Sequence, residues 1–168
     1  GEKTQSIIMG CATSSQCKDT PFPMNFGMGK TRRSSFTCCQ GDACTPSPIS
    51  VPPAKTEPNG RRCRGCYSLS SEHCREETIN CTGVETHCVE IAGTLTSGGT
   101  ARKTVMKGCA TESVCTQIEA GSVTFAGFSG DLTTAKCTAA TSAASTALGP
   151  AGLLPPTLTG LLLLTLLS

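Results

Sequence analysis

The sequence predicts an all-β, disulfide-rich protein built from two related modules in tandem. Three observations support this fold class: thirteen cysteines among 168 residues, an aromatic content of only 4% without any tryptophan, and an internal repeat. A chain with so few large apolar side chains buries too little surface to offset its conformational entropy without covalent cross-links. Each native disulfide supplies about 2–5 kcal/mol. Because such bridges persist in oxidising compartments, we expect a secreted or surface-displayed protein.

The internal repeat is visible in the cysteine spacing. Residues 10–17 read Gly-Cys-Ala-Thr-Ser-Ser-Gln-Cys, and residues 108–115 read Gly-Cys-Ala-Thr-Glu-Ser-Val-Cys. A β-branched, strand-like segment precedes each copy, at 5–9 and at 103–107. The second module contains eight cysteines and the first only five. Superposing the modules puts the missing cysteines before Gly1, so we expect the first module and its signal peptide to be truncated in this sequence.

Composition divides the chain into four parts. Residues 1–44 are predicted to be the C-terminal part of module one. Residues 45–60 contain five of the ten prolines and are predicted to be a semi-extended linker. Module two is expected to cover 61–137, followed by a spacer of small residues and a hydrophobic tail over 138–168.

Strand patterns are clearest in the middle of module two. Residues 87–96 and 101–109 predict a hairpin with its tip at 97–100. Weaker strand patterns cover 122–128 and 132–137, around the segment Gly127-Phe128-Ser129-Gly130-Asp131. No window shows helical periodicity over three turns, so the chain should be nearly all β.

The cysteine order resembles that of the lymphocyte-antigen/urokinase-receptor (u-PAR/Ly-6) family. The adjacent pair Cys38-Cys39 is followed by a closing Cys44, and Cys63-Arg64-Gly65-Cys66 opens module two. In that family a knot of disulfides holds three β-hairpins at one end, so the resemblance implies two tandem three-finger (snake-toxin-like) domains, the first truncated at its N-terminus. Two modules and a Pro-rich link look most like the two-domain branch that includes gamma-type phospholipase inhibitors. The resemblance covers residues 1–137.

Spacing alone leaves many pairings of the module-two cysteines open. The resemblance implies one of them: Cys63–Cys88, Cys66–Cys74, Cys81–Cys109 and Cys115–Cys137. In module one it implies Cys17–Cys38 and Cys39–Cys44, with Cys11 unpaired because its partner is lost by truncation. The chain departs from the family pattern at Thr45, where Asn is usual, and it lacks the last small loop of module two.

Several classes of function receive no support from the residues. A net charge of +2 does not argue for nucleic acid, and the basic clusters at 30–33 and 61–64 are interpreted as solvated surface. A zinc site could be written from six residues: Cys63, Cys66, Cys74, Cys81, His73 and His87. An oxidising compartment favours disulfides instead, so we expect no metal and no cofactor. No Gly-x-Ser-x-Gly motif is present, and we expect no enzyme.

The C-terminal segment resembles a lipid-attachment signal. No charged residue follows Lys136, and the apolar segment 153–168 is short for a membrane span of about 20 residues. Small residues, a spacer and a hydrophobic tail together predict attachment of a glycosylphosphatidylinositol (GPI) anchor. We predict Ser142 as the attachment residue, with Ser145 as the alternative.

One N-glycosylation sequon is present, Asn80-Cys81-Thr82. Rapid pairing of Cys81 is expected to compete with glycan transfer to Asn80, so low occupancy is predicted.

Together these features predict a non-catalytic, GPI-anchored protein on the extracellular face of the plasma membrane. Its finger loops would recognise an extracellular protein ligand, because loops on a rigid cross-linked frame can vary without unfolding it. Two alternatives stay open: a secreted inhibitor of phospholipases, and an adhesive or structural surface element. The tip segment 94–101 contains no aromatic anchor, so the sequence does not name the ligand.

Overall fold

The computed structural model describes residues 7, 22–35, 37–41, 50–51, 53–97, 99–118, 121–125 and 128–142. In this part of the chain almost all regular structure is β, which confirms the predicted fold class. The strands are β1 (Phe22–Asn25), β2 (Thr31–Ser34), β3 (Pro58–Ser68), β4 (Glu77–Thr82), β5 (His87–Ser97), β6 (Thr100–Ala110), β7 (Gly121–Phe125), β8 (Phe128–Ala139) and β9 (Thr141–Ser142). A four-residue helix, α1 (Glu112–Cys115), follows β6.

Module two contains three antiparallel hairpins, which we call finger one (β3–β4), finger two (β5–β6) and finger three (β7–β8). Finger three joins finger two through β8 and β5. Strand β3 also pairs with β6 and with β9. This arrangement is a three-finger domain, and finger two begins and ends within one residue of the predicted hairpin.

Finger three differs from the prediction in one respect. The strand patterns predict strands at 122–128 and 132–137, whereas β7 ends at Phe125 and β8 already begins at Phe128. Gly130 has φ +153°, and a Cβ there would meet the backbone oxygen of Thr94 and would lie 3.0 Å from Leu95 Cα. The glycine therefore permits close approach of β8 to β5 inside the sheet, a use of glycine that resembles a turn signal in sequence.

A hairpin from module one joins the same sheet. Strands β1 and β2 form this module-one hairpin (residues 22–34), and β1 pairs antiparallel with β6, with Met24 opposite Ala110 and Asn25 opposite Cys109. The sheet order is β2-β1-β6-β5-β8-β7. The linker thus connects two modules that share one sheet, which the composition of the linker did not reveal.

The two modules also share a hydrophobic core. Phe22, Met24 and Phe26 are 4%, 1% and 1% exposed and pack in one cluster with Ile91 and Met106 of finger two. Burial of each such side chain stabilises by about 1.5–3 kcal/mol. The alternation of buried and half-buried residues along β1 has the period of two expected for a strand with one covered face. The module-one hairpin is therefore fixed on module two by its own apolar face.

Two glycines of module two allow this approach. A Cβ on Gly108 would collide with the backbone oxygen of Asn25 and lie 3.0 Å from Phe26 Cα. A Cβ on Gly65 would lie 2.8 Å from the backbone oxygen of Phe26 and 2.7 Å from Ile79 Cγ2. Since contacts this short do not occur at real Cβ atoms, both positions need glycine for the modules to meet.

The ordered part of module two extends beyond 61–137 in both directions. Strand β3 begins at Pro58, inside the segment assigned to the linker, and β9 ends at Ser142. Ala140 is buried, and its N–H donates to the backbone oxygen of Thr86 at 2.9 Å. Gly60, with φ +77°, accompanies a register shift between Pro58 and Arg62. Pro, Asn and Gly therefore form an irregular strand start here, although their composition favours a linker.

Candidate functional site

The disulfides of module two form a compact frame at the base of the fingers. The structure brings together Cys63–Cys88, Cys66–Cys74, Cys81–Cys109 and Cys115–Cys137, with Cα–Cα distances of 5.4–5.7 Å. These are the pairs that the family resemblance implies. The first and third pairs connect finger one to finger two and pack against each other, with 3.4 Å between the Sγ atoms of Cys63 and Cys81.

In module one, Cys38 and Cys39 are both disulfide-bonded. The partners implied for them, Cys17 and Cys44, lie outside the described residues, as does Cys11.

The four cysteines considered for a zinc site are all disulfide-bonded. The sulfur atoms of Cys63, Cys81 and Cys109 lie within 4.8 Å of one another, but each belongs to a disulfide and none offers a thiolate. His73 is exposed in the finger-one loop. His87 is half-buried, and its Nδ1 lies 3.0 Å from Thr86 Oγ1. The grouping of sulfurs is therefore part of the disulfide frame.

Ion pairs hold the finger-one loop (residues 69–76) against finger two. Lys107 Nζ lies 2.7 Å from Glu76 and 3.0 Å from Glu90, and Lys103 Nζ lies 2.6 Å from Glu72. The hydrogen bond from Lys107 lowers the pKa of Glu76 and raises that of Lys107, and Lys103 lowers the pKa of Glu72 in the same way. Sequence reasoning missed these pairs because their members are far apart in the chain.

The basic clusters are only partly solvated surface. Arg64 pairs with Glu76 at 3.3 Å, and Arg61 donates to the backbone oxygen of Ala140 at 3.3 Å. Arg32 is half-buried where the modules meet, and burial lowers its pKa, while nearby Tyr67 acts in the opposite direction. Tyr67 lies on the other side of this junction, with its ring centroid 5.3 Å from that of Phe26. Burial raises the pKa of Tyr67.

A buried carboxylate closes the turn between β4 and β5. Glu85 is 4% exposed, and its Oε2 accepts from the backbone N–H of Thr82 at 2.8 Å and from Thr82 Oγ1 at 3.1 Å. Burial raises the pKa of Glu85, and the two bonds from Thr82 oppose that shift. The Thr-x-x-Glu pattern at 82–85 could have indicated this local arrangement, which also occurs at helix starts.

The glycosylation sequon lies in β4. Asn80 is exposed, and its backbone oxygen accepts from Asn25 Nδ2 of module one at 3.4 Å. Cys81 is fully buried in its disulfide, and the hydroxyl of Thr82 bonds to Glu85. Because these contacts hold the sequon in β4 of the folded protein, transfer of a glycan to Asn80 is expected to occur before folding.

The finger ends carry apolar residues that sequence reasoning did not single out. Phe125 ends β7 and pairs in register with Phe128, which begins β8. In the sequence, the two phenylalanines on either side of Ala126-Gly127 could have indicated an aromatic hairpin end. At the turn of the module-one hairpin, Met28 is 57% exposed with φ +49°, and its N–H donates to Glu77 Oε1 at 3.0 Å. Residues at hairpin ends can contact a partner without disturbing the core.

Within the described residues there is no helix with the length and apolar character required to cross a bilayer. Ser142, the predicted attachment residue, is the last residue of β9 and lies opposite Arg61. The alternative Ser145 and the hydrophobic tail lie outside the described residues.

Comparison with known families identifies the class of protein that this fold and disulfide frame define. The model of the u-PAR/Ly-6 domain matches residues 1–47 and 59–143. The chain therefore belongs to the u-PAR/Ly-6 family, as its cysteine order indicated, and the two matched regions correspond to its two modules.

Among individual relatives, phospholipase A2 inhibitors are prominent. The chain is 36% identical over 114 residues to a gamma-type phospholipase A2 inhibitor of Laticauda semifasciata, covering 67% of this chain and 62% of the relative. It is 41% identical over 118 residues to phospholipase A2 inhibitor NAI of Notechis ater, covering 67% and 56%. Protein RoBo-1 of Rattus norvegicus is 32% identical over 106 residues, covering 63% and 43%. The chain thus spans about three fifths of the two inhibitors. No solved structure matches it significantly.

Proposed function

We propose that this protein is a non-catalytic extracellular binding protein that recognises a protein ligand through its finger ends and is held at the cell surface by a GPI anchor. The observation that supports this most strongly is the disulfide frame. It fixes the bases of three hairpins in a family of extracellular domains and leaves the finger ends to contact a partner. In the described residues, the carboxylates of Glu72, Glu76 and Glu90 form ion pairs with lysines of β6.

The end of finger three is the proposed centre of the contact surface. Aromatic residues dominate binding hot spots, and β7 and β8 place Phe125 and Phe128 opposite each other at this end. Replacement of both by alanine is expected to weaken ligand binding at least about thirtyfold, since hot-spot truncation costs about 2 kcal/mol or more. The matched control is Val84→Ala, an exposed apolar residue in the turn between β4 and β5, which should leave affinity unchanged. Equal effects of the two changes would contradict this assignment.

Inhibition of a secreted phospholipase A2 is a second candidate. It is favoured by the relatives named as phospholipase A2 inhibitors, which align over 67% of this chain. The test is the initial rate of phospholipid hydrolysis by secreted phospholipases A2 as this protein is titrated in, with direct binding measured on an optical biosensor. Saturable inhibition that parallels binding supports this candidate. Binding of other extracellular proteins without inhibition would leave only the general binding function.

For the anchor, we propose Ser142 as the attachment residue, with Ser145 as the alternative. Ser142 is exposed at the end of β9, opposite Arg61. Treatment of intact cells with a phosphatidylinositol-specific phospholipase should release the protein, and mass spectrometry of its C-terminal peptide should end at the anchored residue. Protein that stays on the cells and retains residues 161–168 would contradict GPI attachment.

A further inference from the structure

We propose that the linker between the modules is a site of hydroxyl-linked glycosylation, with Ser50 and Thr56 as acceptors. Both residues stand two positions before a proline, in Ser50-Val51-Pro52 and Thr56-Glu57-Pro58. Stretches rich in serine, threonine and proline are typical of such glycans in extracellular proteins. The chain belongs to an extracellular family, so it meets the secretory glycosyltransferases.

The described residues of the linker are accessible. Residues 50, 51 and 53–56 are exposed and form neither helix nor strand, and regular structure begins only at Pro58. Proline fixes its own φ near −65° and disfavours helix in the residue before it. The result is an extended segment of the kind that a transferase can bind as a single strand.

The linker is also held at one end, which keeps Thr56 at the surface. The backbone oxygen of Glu57 accepts from the N–H of Gly83 at 3.1 Å. A Cβ on Gly83 would lie 2.8 Å from Lys55 Cβ, so the Lys55 side chain rests on this turn. Thr56 lies between these two contacts and is itself exposed.

The reaction requires a nucleotide-activated N-acetylhexosamine as the second substrate. The hydroxyl oxygen of Ser50 or Thr56 forms a bond to the anomeric carbon of the sugar. The bond from that carbon to the diphosphate breaks, the nucleoside diphosphate leaves with the bonding electrons, and the hydroxyl proton passes to a base of the transferase. No change of oxidation state is involved.

Exposed hydroxyls in strands provide the internal comparison. Thr78 and Thr94 are exposed but belong to β4 and β5. To enter a transferase cleft as an extended peptide, they would have to leave ladders whose hydrogen bonds hold the sheet together. Exposure alone does not distinguish Thr56 from Thr78, whereas position outside a strand ladder does.

The test is peptide mass spectrometry on the full chain secreted from, or displayed on, animal cells, after enzymatic removal of N-glycans. Trypsin cleavage after Lys55 and Arg61 gives the peptide 56–61, in which Thr56 is the only hydroxyl residue. We expect this peptide to gain the mass of N-acetylhexosamine, with or without further sugars, and electron-transfer fragmentation to place a second glycan on Ser50.

Two variants make the outcome decisive. Ser50→Ala with Thr56→Ala should remove the linker glycans, whereas Thr78→Ala with Thr94→Ala should leave them unchanged. An unmodified 56–61 peptide and an unmodified Ser50 in correctly secreted protein would overturn the proposal. Glycans confined to other hydroxyls, including those of the C-terminal segment, would overturn it as well. These readouts do not depend on ligand binding or on the anchor.

Discussion

The module-one hairpin and finger three of module two are equivalent elements of one repeat, yet they pack in different ways. Each lies between the same two cysteines of the repeat, Cys17 and Cys38 in the first module and Cys115 and Cys137 in the second. Finger three uses its second strand, β8, to pair with β5 of its own module. The module-one hairpin uses its first strand, β1, to pair with β6 of the next module.

The side chains explain this difference. Strand β1 and the residue after it provide Phe22, Met24 and Phe26 on one face, all buried against module two. The corresponding strand β7 reads Gly-Ser-Val-Thr-Phe and lacks that series of large apolar residues. In the described sheet β7 is the terminal strand. Within the described residues, the large apolar side chains on the first strand therefore accompany the docking of the module-one hairpin on module two.

The largest expected effect comes from removing the centre of the inter-module core. Phe26→Ala should lower the free energy of unfolding by about 3–5 kcal/mol, because a buried aromatic ring is replaced by a cavity. Chemical denaturation measures the loss. Fluorescence of Tyr67, the one tyrosine in a chain without tryptophan, should change because the Phe26 ring is its neighbour.

The control for Phe26 is Met28→Ala, two residues further along the same hairpin and exposed. It should change stability by less than about 0.5 kcal/mol. If both variants behaved alike, the hairpin would not be docked as described.

Removing the disulfide of finger three should destabilise finger three itself and leave the module-one hairpin docked on module two. Replacing Cys115 and Cys137 together by serine should cost about 2–4 kcal/mol. Hydrogen exchange measured by mass spectrometry should show faster exchange in β7 and β8 with little change in β1, since β1 is held by side-chain packing on β6. Equal acceleration in both hairpins would mean that they unfold as one unit.

The sequence predicted the hairpins and cysteines that recur in the modules, but not the contacts that dock module one on module two. Finger two follows directly from alternating residues around Gly98-Gly99, and the cysteine pairing of module two follows from the family resemblance. The docking of β1 on β6 depends on contacts between residues such as Phe26 and Gly108, which share no local pattern. The same holds for the pairs of Lys107 with Glu76 and Glu90, because propensity and periodicity report on neighbours along the chain only.

A smaller effect is expected from adding a side-chain atom where the backbones of the two modules meet. Gly108→Ala places a Cβ against the backbone of Asn25 and Phe26, so β1 must shift away from β6 at a cost of about 1–3 kcal/mol. Faster hydrogen exchange should be confined to β1 and the facing part of β6. The control is Gly99→Ala at the end of finger two, where a Cβ meets no atom within 4 Å and only the φ of +79° opposes the change. Faster exchange of β1 in the Gly99 variant would argue against the contact as the cause.

The smallest expected effect concerns Glu85, whose turn connects fingers one and two of module two and has no described counterpart in module one. Because burial raises its pKa, the folded protein binds the Glu85 proton more tightly than the unfolded chain does. This group therefore stabilises the fold most below its ordinary pKa of 4.5, and that contribution is lost as the pH rises through the raised pKa. In Glu85→Gln the amide oxygen can still accept from Thr82, and the pH-dependent term disappears. The variant should gain stability relative to the parent between pH 4 and pH 7, by less than about 1 kcal/mol.

Denaturation of both proteins across this pH range measures the difference, and Glu76→Gln provides a control of opposite sign. Lys107 lowers the pKa of Glu76, so the contribution of ionised Glu76 is present above the ordinary pKa and is lost as the pH falls. The Glu76 variant should therefore lose stability relative to the parent as the pH rises towards 7. If the two variants showed the same sign, burial of Glu85 would not govern its proton affinity. The turn would then be held by its hydrogen bonds from Thr82 alone.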